Sequence, residues 1–263
     1  MLSDMFSLDG RVALVTGGSR GIGKMIARGF VEAGAKVYIS SRKADACEAT
    51  AAELGPNCIS MPQDISTVQG VKALAQQLTA VEPKLDILVN NAGATWGAEF
   101  EEFPESGWDK VMNLNLKSPF FLTQRLHAAL KAAASNERPA KVINIVSVDG
   151  MALSPLETYS YQASKSALIY LTRRMAARLA RDRIAVTAIA PGAFASEMNR
   201  AARDQRDFMA KRIPMGRIGE DMDMAACAIY LASRAGDYVV GATIPVDGGV
   251  ALGSFGRPPE EMP

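Results

Sequence analysis

A tyrosine and a lysine lie four residues apart in the segment Tyr161-Gln162-Ala163-Ser164-Lys165. On a helix this spacing places the phenol and the ammonium group on one face, where the two side chains are neighbours. Free tyrosine has a pKa near 10, and about 4 kcal/mol of phenolate stabilisation brings that pKa close to neutrality. A cation at ~4 Å supplies about that much at an effective dielectric constant of ~20. The pair therefore predicts proton transfer by Tyr161, with its pKa lowered by Lys165 together with a second nearby cation.

A glycine-rich segment stands between the first predicted strand and the first predicted helix. It reads Thr16-Gly17-Gly18-Ser19-Arg20-Gly21-Ile22-Gly23. Glycines permit a tight turn and close backbone approach, and a helix N-terminus offers free N–H groups to a pyrophosphate. The spacing TGxxxGxG differs from the commoner GxGxxG, and a glycine-rich turn can be only a turn. Its position in the opening strand–helix unit favours dinucleotide binding.

The residues after the second predicted strand indicate which dinucleotide would bind. An acidic residue there would bind the ribose 2′-hydroxyl of NAD and repel a phosphate. This strand instead ends Ser40-Ser41-Arg42, and Arg20 lies in the glycine turn. Two guanidinium groups and a hydroxyl suit a 2′-phosphate. We therefore expect NADP, whose oxidised nicotinamide ring would be the second cation beside Tyr161; the alternative is two ordinary surface arginines.

Short β-branched runs alternate with longer helical stretches along the chain. The predicted strands are 12–16, 36–40, 58–61, 85–90, 141–147, 184–190 and 243–246. The predicted helices are 22–33, 43–54, 68–81, 108–133 with a break near Pro119, 159–180 and 222–233. This alternation predicts an α/β fold, one doubly wound sheet of about seven parallel strands with helices on both faces. No linker or repeat divides residues 1–263, so we expect a single domain.

Two parts of the chain fall outside this alternation. Residues 194–218 contain no predicted strand and are our candidate for a mobile lid over the active site. Residues 1–9 and about 252–263 are expected to be tails or contacts between subunits.

Composition excludes several classes of function. The chain has 29 basic and 28 acidic residues and no basic stripe, so we expect no nucleic-acid binding. Its three cysteines lack metal-ligand spacing, and the single histidine, His127, has no partners for a triad, so no metal site is predicted. No signal segment or apolar run of ~18 residues occurs, so we expect a cytoplasmic protein without a membrane span.

Further motifs follow the predicted strands at the carboxyl edge, where open α/β sheets bind ligands. They are Asp64, Asn90-Asn91-Ala92-Gly93, Ser147, Pro191-Gly192 and Val246-Asp247-Gly248-Gly249, with Asn115 in the long helix. Together with the glycine turn and the Tyr161–Lys165 pair, they resemble the short-chain dehydrogenase/reductase family from Gly10 to about Gly249. The resemblance implies a Rossmann-type fold and hydride transfer between a nicotinamide cofactor and a carbonyl or alcohol.

The resemblance also implies a role for each matching residue. Tyr161 would be the general acid or base, Lys165 would hold the nicotinamide ribose, Ser147 would bind the substrate oxygen and Asn115 would anchor a water; Ser154 is a rival for the serine role. The cofactor-binding residues would be Gly17, Ser19, Arg20, Gly21, Ile22, Gly23, Ser41, Arg42, Asp64, Ile65, Asn91, Ala92, Gly93, Tyr161, Lys165, Pro191, Gly192 and Ser196.

Within the family the pattern most resembles 3-oxoacyl-(acyl-carrier-protein) reductases of the rhamnolipid type, in the segments Ile213–Arg217 and Ile244–Gly249. A 3-oxoacyl thioester is therefore the expected substrate, with sugars, polyols, steroids and aromatic ketones as alternatives. Arg173, Arg174 and the 200–217 stretch are either a docking patch for a carrier protein or solvated helix faces. A non-catalytic cofactor-sensing regulator is a more remote alternative, and the resemblance implies a homotetramer.

Overall fold

Seven short apolar segments form one parallel sheet, as the sequence predicts. The computed structural model describes residues 2–251. The strands are β1 Val12–Thr16, β2 Lys36–Ser40, β3 Cys58–Ser60, β4 Ile87–Asn90, β5 Ala140–Ile145, β6 Ile184–Pro191 and β7 Thr243–Val246. Their order in the sheet is β3-β2-β1-β4-β5-β6-β7. Every residue of β4, β5 and β6 is buried, which is typical of a parallel sheet covered on both faces.

Helices cover both faces of this sheet. They are α1 Leu2–Phe6, α2 Gly21–Glu32, α3 Ala44–Leu54, α4 Val68–Val81, α5 Glu105–Met112, α6 Ser118–Ala133, α7 Tyr159–Leu179, α8 Arg200–Asp204, α9 Arg206–Ala210 and α10 Asp221–Ala232. Short 3-10 turns occur at Phe100–Glu102, Val148–Gly150, Ala180–Asp182 and Arg234–Gly236. The two largest apolar clusters lie on opposite faces of the sheet. One contains residues of α2, α3 and α10, and the second contains residues of α4, α6 and α7. The predicted doubly wound fold is therefore confirmed.

The break predicted near Pro119 in the long helix is displaced. A π-helical turn, Asn113–Lys117, joins α5 to α6, and Pro119 lies in the first turn of α6. Proline cannot donate to the carbonyl four residues earlier, and its ring crowds that carbonyl. The preceding turn widens accordingly, and the Ser118 N–H donates to the Asn113 carbonyl five residues back. The proline is the cause of the irregularity, but the irregularity precedes it.

The sequence leaves a tail or a contact between subunits for residues 1–9; residues 2–9 do not form a free tail, and the subunit contact stays a prediction. Residues Leu2–Phe6 form α1, and Leu8 is fully buried in the core with its N–H bonded to the Ala33 carbonyl. One apolar residue between polar neighbours gave no periodic signal, although its burial ties the segment to the end of α2. Residues 252–263, the other predicted tail, lie outside the described residues.

A buried polar chain ties the sheet to two helices. Asn90 of β4 donates to Asn144 of β5 at 2.9 Å, and Asn144 donates to the Thr172 hydroxyl of α7 at 2.9 Å. Asn90 also reaches the Thr123 hydroxyl of α6 at 3.3 Å. Buried amides left unpaired are costly, so these bonds fix the positions of α6 and α7 on the sheet.

The segment predicted as a lid, residues 194–218, contains α8 and α9 and a small apolar cluster of its own around Ala202, Ile213 and Ile218. Phe194 forms an isolated bridge with Gly219 at its base. Whether this segment moves stays a prediction.

Among residues 2–251 no helix is long and apolar enough to cross a membrane.

Candidate active site

The Tyr161–Lys165 pair lies in the first turns of α7, beside the end of β5. Lys165 is buried, and its Nζ donates to the Ile145 carbonyl at 2.8 Å. The same Nζ lies 5.6 Å from the centroid of the Tyr161 ring. A side chain at Gly93 would come within 3.7 Å of Lys165 Nζ, so the turn after β4 also approaches the pair. The phenol and the ammonium group are therefore neighbours, as the sequence predicts.

The pKa values of the pair differ from the sequence prediction. Burial raises the pKa of Tyr161 to about 12, and hydrogen bonding with the Ser147 side chain offsets this only in part. Burial also lowers the pKa of Lys165 to about 8. Desolvation disfavours the charged form of both groups, and at 5.6 Å from the ring the ammonium does not outweigh it. The predicted lowering of the Tyr161 pKa therefore does not come from the protein's own side chains.

Ser147 begins a tight turn that packs against α7. Its Oγ accepts from the Asp149 N–H at 3.1 Å, and its carbonyl accepts from the Gly150 N–H at 3.0 Å. A Cβ at Gly150 would lie 2.8 Å from the Lys165 carbonyl carbon, so only glycine permits this approach. The rival Ser154 accepts from the Leu156 N–H within its own loop. The contact with Tyr161 favours Ser147 for the serine role, which stays a prediction.

Asn115 lies in the π-helical turn and is buried. Its side chain accepts from the Ala94 N–H at 2.8 Å and donates to the Ala94 carbonyl at 2.9 Å and to the Ser164 hydroxyl at 3.1 Å. Ser164 in turn donates to the Tyr161 carbonyl at 2.7 Å. The amide thus joins the turn after β4 to the first turn of α7. Pro119 has no N–H, so it cannot donate to the Asn115 main-chain carbonyl four residues before it.

The glycine turn after β1 is held by Asn91. The Asn91 Nδ2 donates to the Thr16 carbonyl at 2.9 Å and to the Gly17 carbonyl at 3.2 Å. The Thr16 hydroxyl accepts from the N–H groups of Asn91 and Ala92. Gly17 has a φ of 67°, and a Cβ there would lie 2.8 Å from Asn91 Nδ2. The turn therefore requires glycine and leads directly into the N-terminus of α2, which begins at Gly21.

The residues predicted to bind the adenosine end follow β1, β2 and β3. The Gly17 N–H donates to the Ser40 carbonyl at 2.7 Å, which joins the first two turns. Arg20 and Arg42 are both exposed, and within residues 2–251 neither forms an ion pair. Two of the other residues form hydrogen bonds: the Ser19 carbonyl accepts from the Thr50 hydroxyl, and the Ser41 hydroxyl donates to the Lys43 carbonyl. After β3, Asp64 is exposed and Ile65 is buried. Ile22 and Ala92 are partly buried and pack against the core clusters.

The remaining predicted cofactor residues lie after β6. Pro191 ends that strand, and the Gly192 N–H donates to the Val246 carbonyl of β7 at 3.0 Å. A Cβ at Gly192 would lie 2.7 Å from the Asp247 Cα. A Cβ at Gly21 would lie 3.2 Å from the Ser196 Cβ, so the base of the 194–218 segment reaches the glycine turn. All predicted site residues thus follow strands at one sheet edge or lie on α7 and the π-helical turn.

Known proteins resemble this chain over nearly its whole length. A family model described as enoyl-(acyl carrier protein) reductase matches residues 17–251. The rhamnolipids biosynthesis 3-oxoacyl-(acyl-carrier-protein) reductase of Pseudomonas aeruginosa is 50% identical over 252 residues, which cover 94% of this chain and 98% of that protein. The chain belongs to the short-chain dehydrogenase/reductase family.

A second relative and a solved structure extend the comparison. The 2-dehydro-3-deoxy-D-gluconate 5-dehydrogenase of Dickeya dadantii is 40% identical over 255 residues, which cover 95% of this chain and 98% of that protein. The solved Pseudomonas aeruginosa RhlG/NADP active-site complex superposes with a TM-score of 0.92 at 49% identity, covering 95% of this chain and 99% of that chain. The family and the fold predicted from the motifs are therefore confirmed.

Two residues of this short-chain dehydrogenase/reductase site escaped the sequence reasoning. Ser164 joins Asn115 to Tyr161, and its place three residues after Tyr161 on the same helix is the signal that could have found it. Asp149 lies two residues after Ser147, in the turn that packs on α7. Within residues 2–251 no group of three or more histidine, cysteine, aspartate or glutamate side chains is placed to hold a metal ion.

The buried Lys165 predicts a pH-dependent stability difference. Its pKa is about 8 in the folded protein and about 10.5 when unfolded, so between these values only the unfolded chain holds the proton and stability rises with pH. From pH 8 to 10 we expect the free energy of unfolding of wild type to gain about 2 kcal/mol over that of Lys165→Met, measured by urea denaturation. Because the pKa of Tyr161 is raised to about 12, titration of this residue changes the free energy of unfolding only above pH 10.

The matched control for this measurement is Lys72→Met, which removes an exposed lysine of α4. Its difference from wild type should stay constant from pH 8 to 10. A constant difference for Lys165→Met as well would show that the ammonium is not desolvated in solution.

Proposed function

We propose that this chain is an NADP(H)-dependent oxidoreductase that reduces a carbonyl group to an alcohol, with Tyr161 as the proton donor. The observation that carries the proposal is the half-buried Tyr161 beside the buried Lys165, with Ser147 next to them at the sheet edge that also bears the glycine turn. Burial raises the pKa of Tyr161 to about 12, so the phenol is protonated at neutral pH. A protonated phenol is the form that a carbonyl reduction requires.

The residues at the glycine turn fit a dinucleotide phosphate. Gly17 permits the tight turn against Asn91 and Ala92 that leads into the N-terminus of α2, where free N–H groups suit a pyrophosphate. The exposed guanidinium groups of Arg20 and Arg42, which form no ion pair within the described residues 2–251, suit the additional 2′-phosphate of NADP. The solved relative at 49% identity is an NADP complex. The bound cofactor would supply the hydride, and Lys165 would hold its ribose.

The protein's own groups would then serve the reacting oxygen. The hydroxyl groups of Ser147 and Tyr161 would both donate to the substrate oxygen as negative charge develops on it, which is electrostatic stabilisation by preorganised donors. The side chain of Asn115 would not contact the substrate, because it is already hydrogen-bonded to Ala94 and Ser164; it would hold these two residues in place. The main-chain carbonyl of Asn115, which Pro119 cannot satisfy, is the group we assign to holding a water for reprotonation of Tyr161.

We infer that the substrate is a 3-oxoacyl thioester. The relative at 50% identity carries a name with that activity. The loop between Ser147 and α7 exposes Met151, Leu153 and Leu156 by 40%, 97% and 63%, which suits an apolar chain. The relative at 40% identity favours a second candidate, a keto sugar acid. Segment 194–218 stays our candidate for a lid over either substrate.

The basic stretch in that segment gives little support to docking of an acidic carrier protein. Arg203 pairs with Glu197 and Asp204, Arg206 with Glu220 and Arg217 with Asp223. These exposed pairs offset the charge of three of the six basic residues in the stretch, which weakens the attraction for an acidic partner. A carrier protein is therefore a weaker expectation than the thioester itself.

The proposed chemistry predicts NADPH oxidation with acetoacetyl-CoA, followed at 340 nm. Tyr161→Phe should lower kcat by about 10³-fold, since it removes the proton donor and leaves the ring packing intact. The control is Tyr238→Phe, a fully exposed tyrosine outside the site, which should keep wild-type activity. A carbonyl panel including keto sugar acids distinguishes the two substrate classes. Equal, measurable rates for wild type and Tyr161→Phe would contradict Tyr161 as the proton donor, and no NADPH oxidation by wild type on any substrate would favour a non-catalytic regulator.

The proposed cofactor preference predicts the effect of removing either exposed arginine. Arg42→Ala and Arg20→Ala should each lower kcat/KM for NADPH by about ten-fold, the worth of a charge-assisted hydrogen bond, and leave NADH almost unaffected. Arg181→Ala, at the opposite sheet edge, is the control and should change neither cofactor. Equal losses for NADPH and NADH would argue against 2′-phosphate binding.

We further infer a cytoplasmic homotetramer in which α6 and α7 pair between subunits. Their outer side exposes Phe120 and Tyr170 by 36% and 72%, next to a groove lined by Leu171, Met175 and Leu179. Light scattering should give about four times 28.0 kDa. Phe120→Asp should lower the mass, whereas Phe208→Asp in the 194–218 segment should not. A monomeric wild type would contradict the inference.

A further inference from the structure

The carboxyl group of Asp149 lies in the site without a partner. Asp149 is half-buried in the 3-10 turn Val148–Gly150, and its backbone N–H is fixed by the Ser147 hydroxyl at 3.1 Å. Among residues 2–251 its carboxylate forms no hydrogen bond or ion pair. Half-buried carboxylates normally have a partner, because desolvation disfavours their charge. An unpartnered one at this position needs a functional explanation.

The turn that carries Asp149 is pressed against the Tyr161–Lys165 segment. The Ser166 hydroxyl donates to the Gly150 carbonyl at 3.0 Å, and the Gly150 backbone contacts that of Lys165. This packing keeps the Asp149 charge close to the phenol. The charge of Asp149 contributes to raising the pKa of Tyr161, and burial raises the pKa of Asp149 itself. The field of the carboxylate thus reaches the atom that would meet the substrate oxygen.

We propose that Asp149 is a specificity-determining residue that selects against substrates bearing a negative charge next to the reacting carbonyl. The proposal deepens the proposed function and rests on it. The carboxyl retains contact with solvent, and its ionised form is the one that would act on a nearby anion. A substrate carboxylate near the reacting carbon would then meet a like charge in a partly desolvated site, where repulsion is stronger than in water.

The same charge leaves neutral 3-oxoacyl esters and thioesters unaffected. Their reacting carbonyl has an uncharged neighbour, and any phosphates of a carrier lie far along the chain. Asp149 would therefore separate 3-oxoacyl esters from free 3-oxo acids and from keto sugar acids. Lys165 does not neutralise Asp149 directly, since its ammonium donates to the Ile145 carbonyl and no ion pair joins the two side chains within residues 2–251.

The test compares methyl acetoacetate with acetoacetate, which share the 3-oxo group and differ by one negative charge. For Asp149→Asn we expect the ratio of kcat/KM for acetoacetate to that for the ester to rise by about ten-fold over wild type. Asp149→Glu keeps the charge and should keep the low ratio. Glu137→Gln removes an exposed charge at the opposite sheet edge and should also leave the ratio unchanged.

A ratio that stays the same in Asp149→Asn, or rises equally in Asp149→Glu, overturns the proposal. If wild type reduces no carbonyl compound, the proposed function fails separately. Titration calorimetry of the two compounds with the NADPH-saturated proteins then decides on Asp149. A ten-fold gain in relative affinity for acetoacetate in Asp149→Asn supports it, and equal binding or no binding of both compounds overturns it.

Discussion

The ammonium group of Lys165 is buried at the end of β5, and its one hydrogen bond recorded within residues 2–251 goes to the Ile145 carbonyl. Burying a cation on a neutral acceptor is unfavourable, and the lowered pKa of about 8 reports that cost. In return, the bond between Lys165 and the Ile145 carbonyl holds the first turns of α7 against the sheet edge. Tyr161, Ser147 and the turn around Gly93 take their mutual positions from this contact, so the geometry of the site depends on it.

The desolvation that lowers the pKa of Lys165 also raises that of Tyr161. Both shifts favour the uncharged form. The protein's own groups therefore hold a protonated phenol beside an ammonium group that loses its proton more readily than a free lysine does. That state is prepared for donating a proton, which is the requirement of carbonyl reduction. Alcohol oxidation needs the phenolate, and this arrangement supplies less help for it. The protein's own groups therefore hold the phenol protonated near neutral pH.

The strands, the glycine turn and the Tyr161–Lys165 spacing could be predicted, because each depends on local pattern. The π-helical turn at Asn113–Lys117 could not, since one extra residue per turn leaves the apolar pattern nearly unchanged. Leu8 in the core depends on a tertiary contact that no periodicity announces. The direction of the Tyr161 pKa shift depends on burial, which spacing along a helix does not reveal. Asp149 was missed because its neighbourhood exists only after the turn folds onto α7.

Substrate choice is the part of the function that the shared motifs leave open. The relatives at 50% and 40% identity have names that point to a thioester and to a sugar acid, respectively. The groups that move the hydride and the proton act on the carbonyl alone, so they cannot distinguish these substrates. Discrimination must come from charges and shapes around the carbonyl. The turn after Ser147 is well placed for this, because its backbone is fixed on α7 while the side chain of Asp149 remains unpartnered. We therefore infer that a carboxylate there sets the preferred substrate charge through its field, which also contributes to raising the pKa of Tyr161.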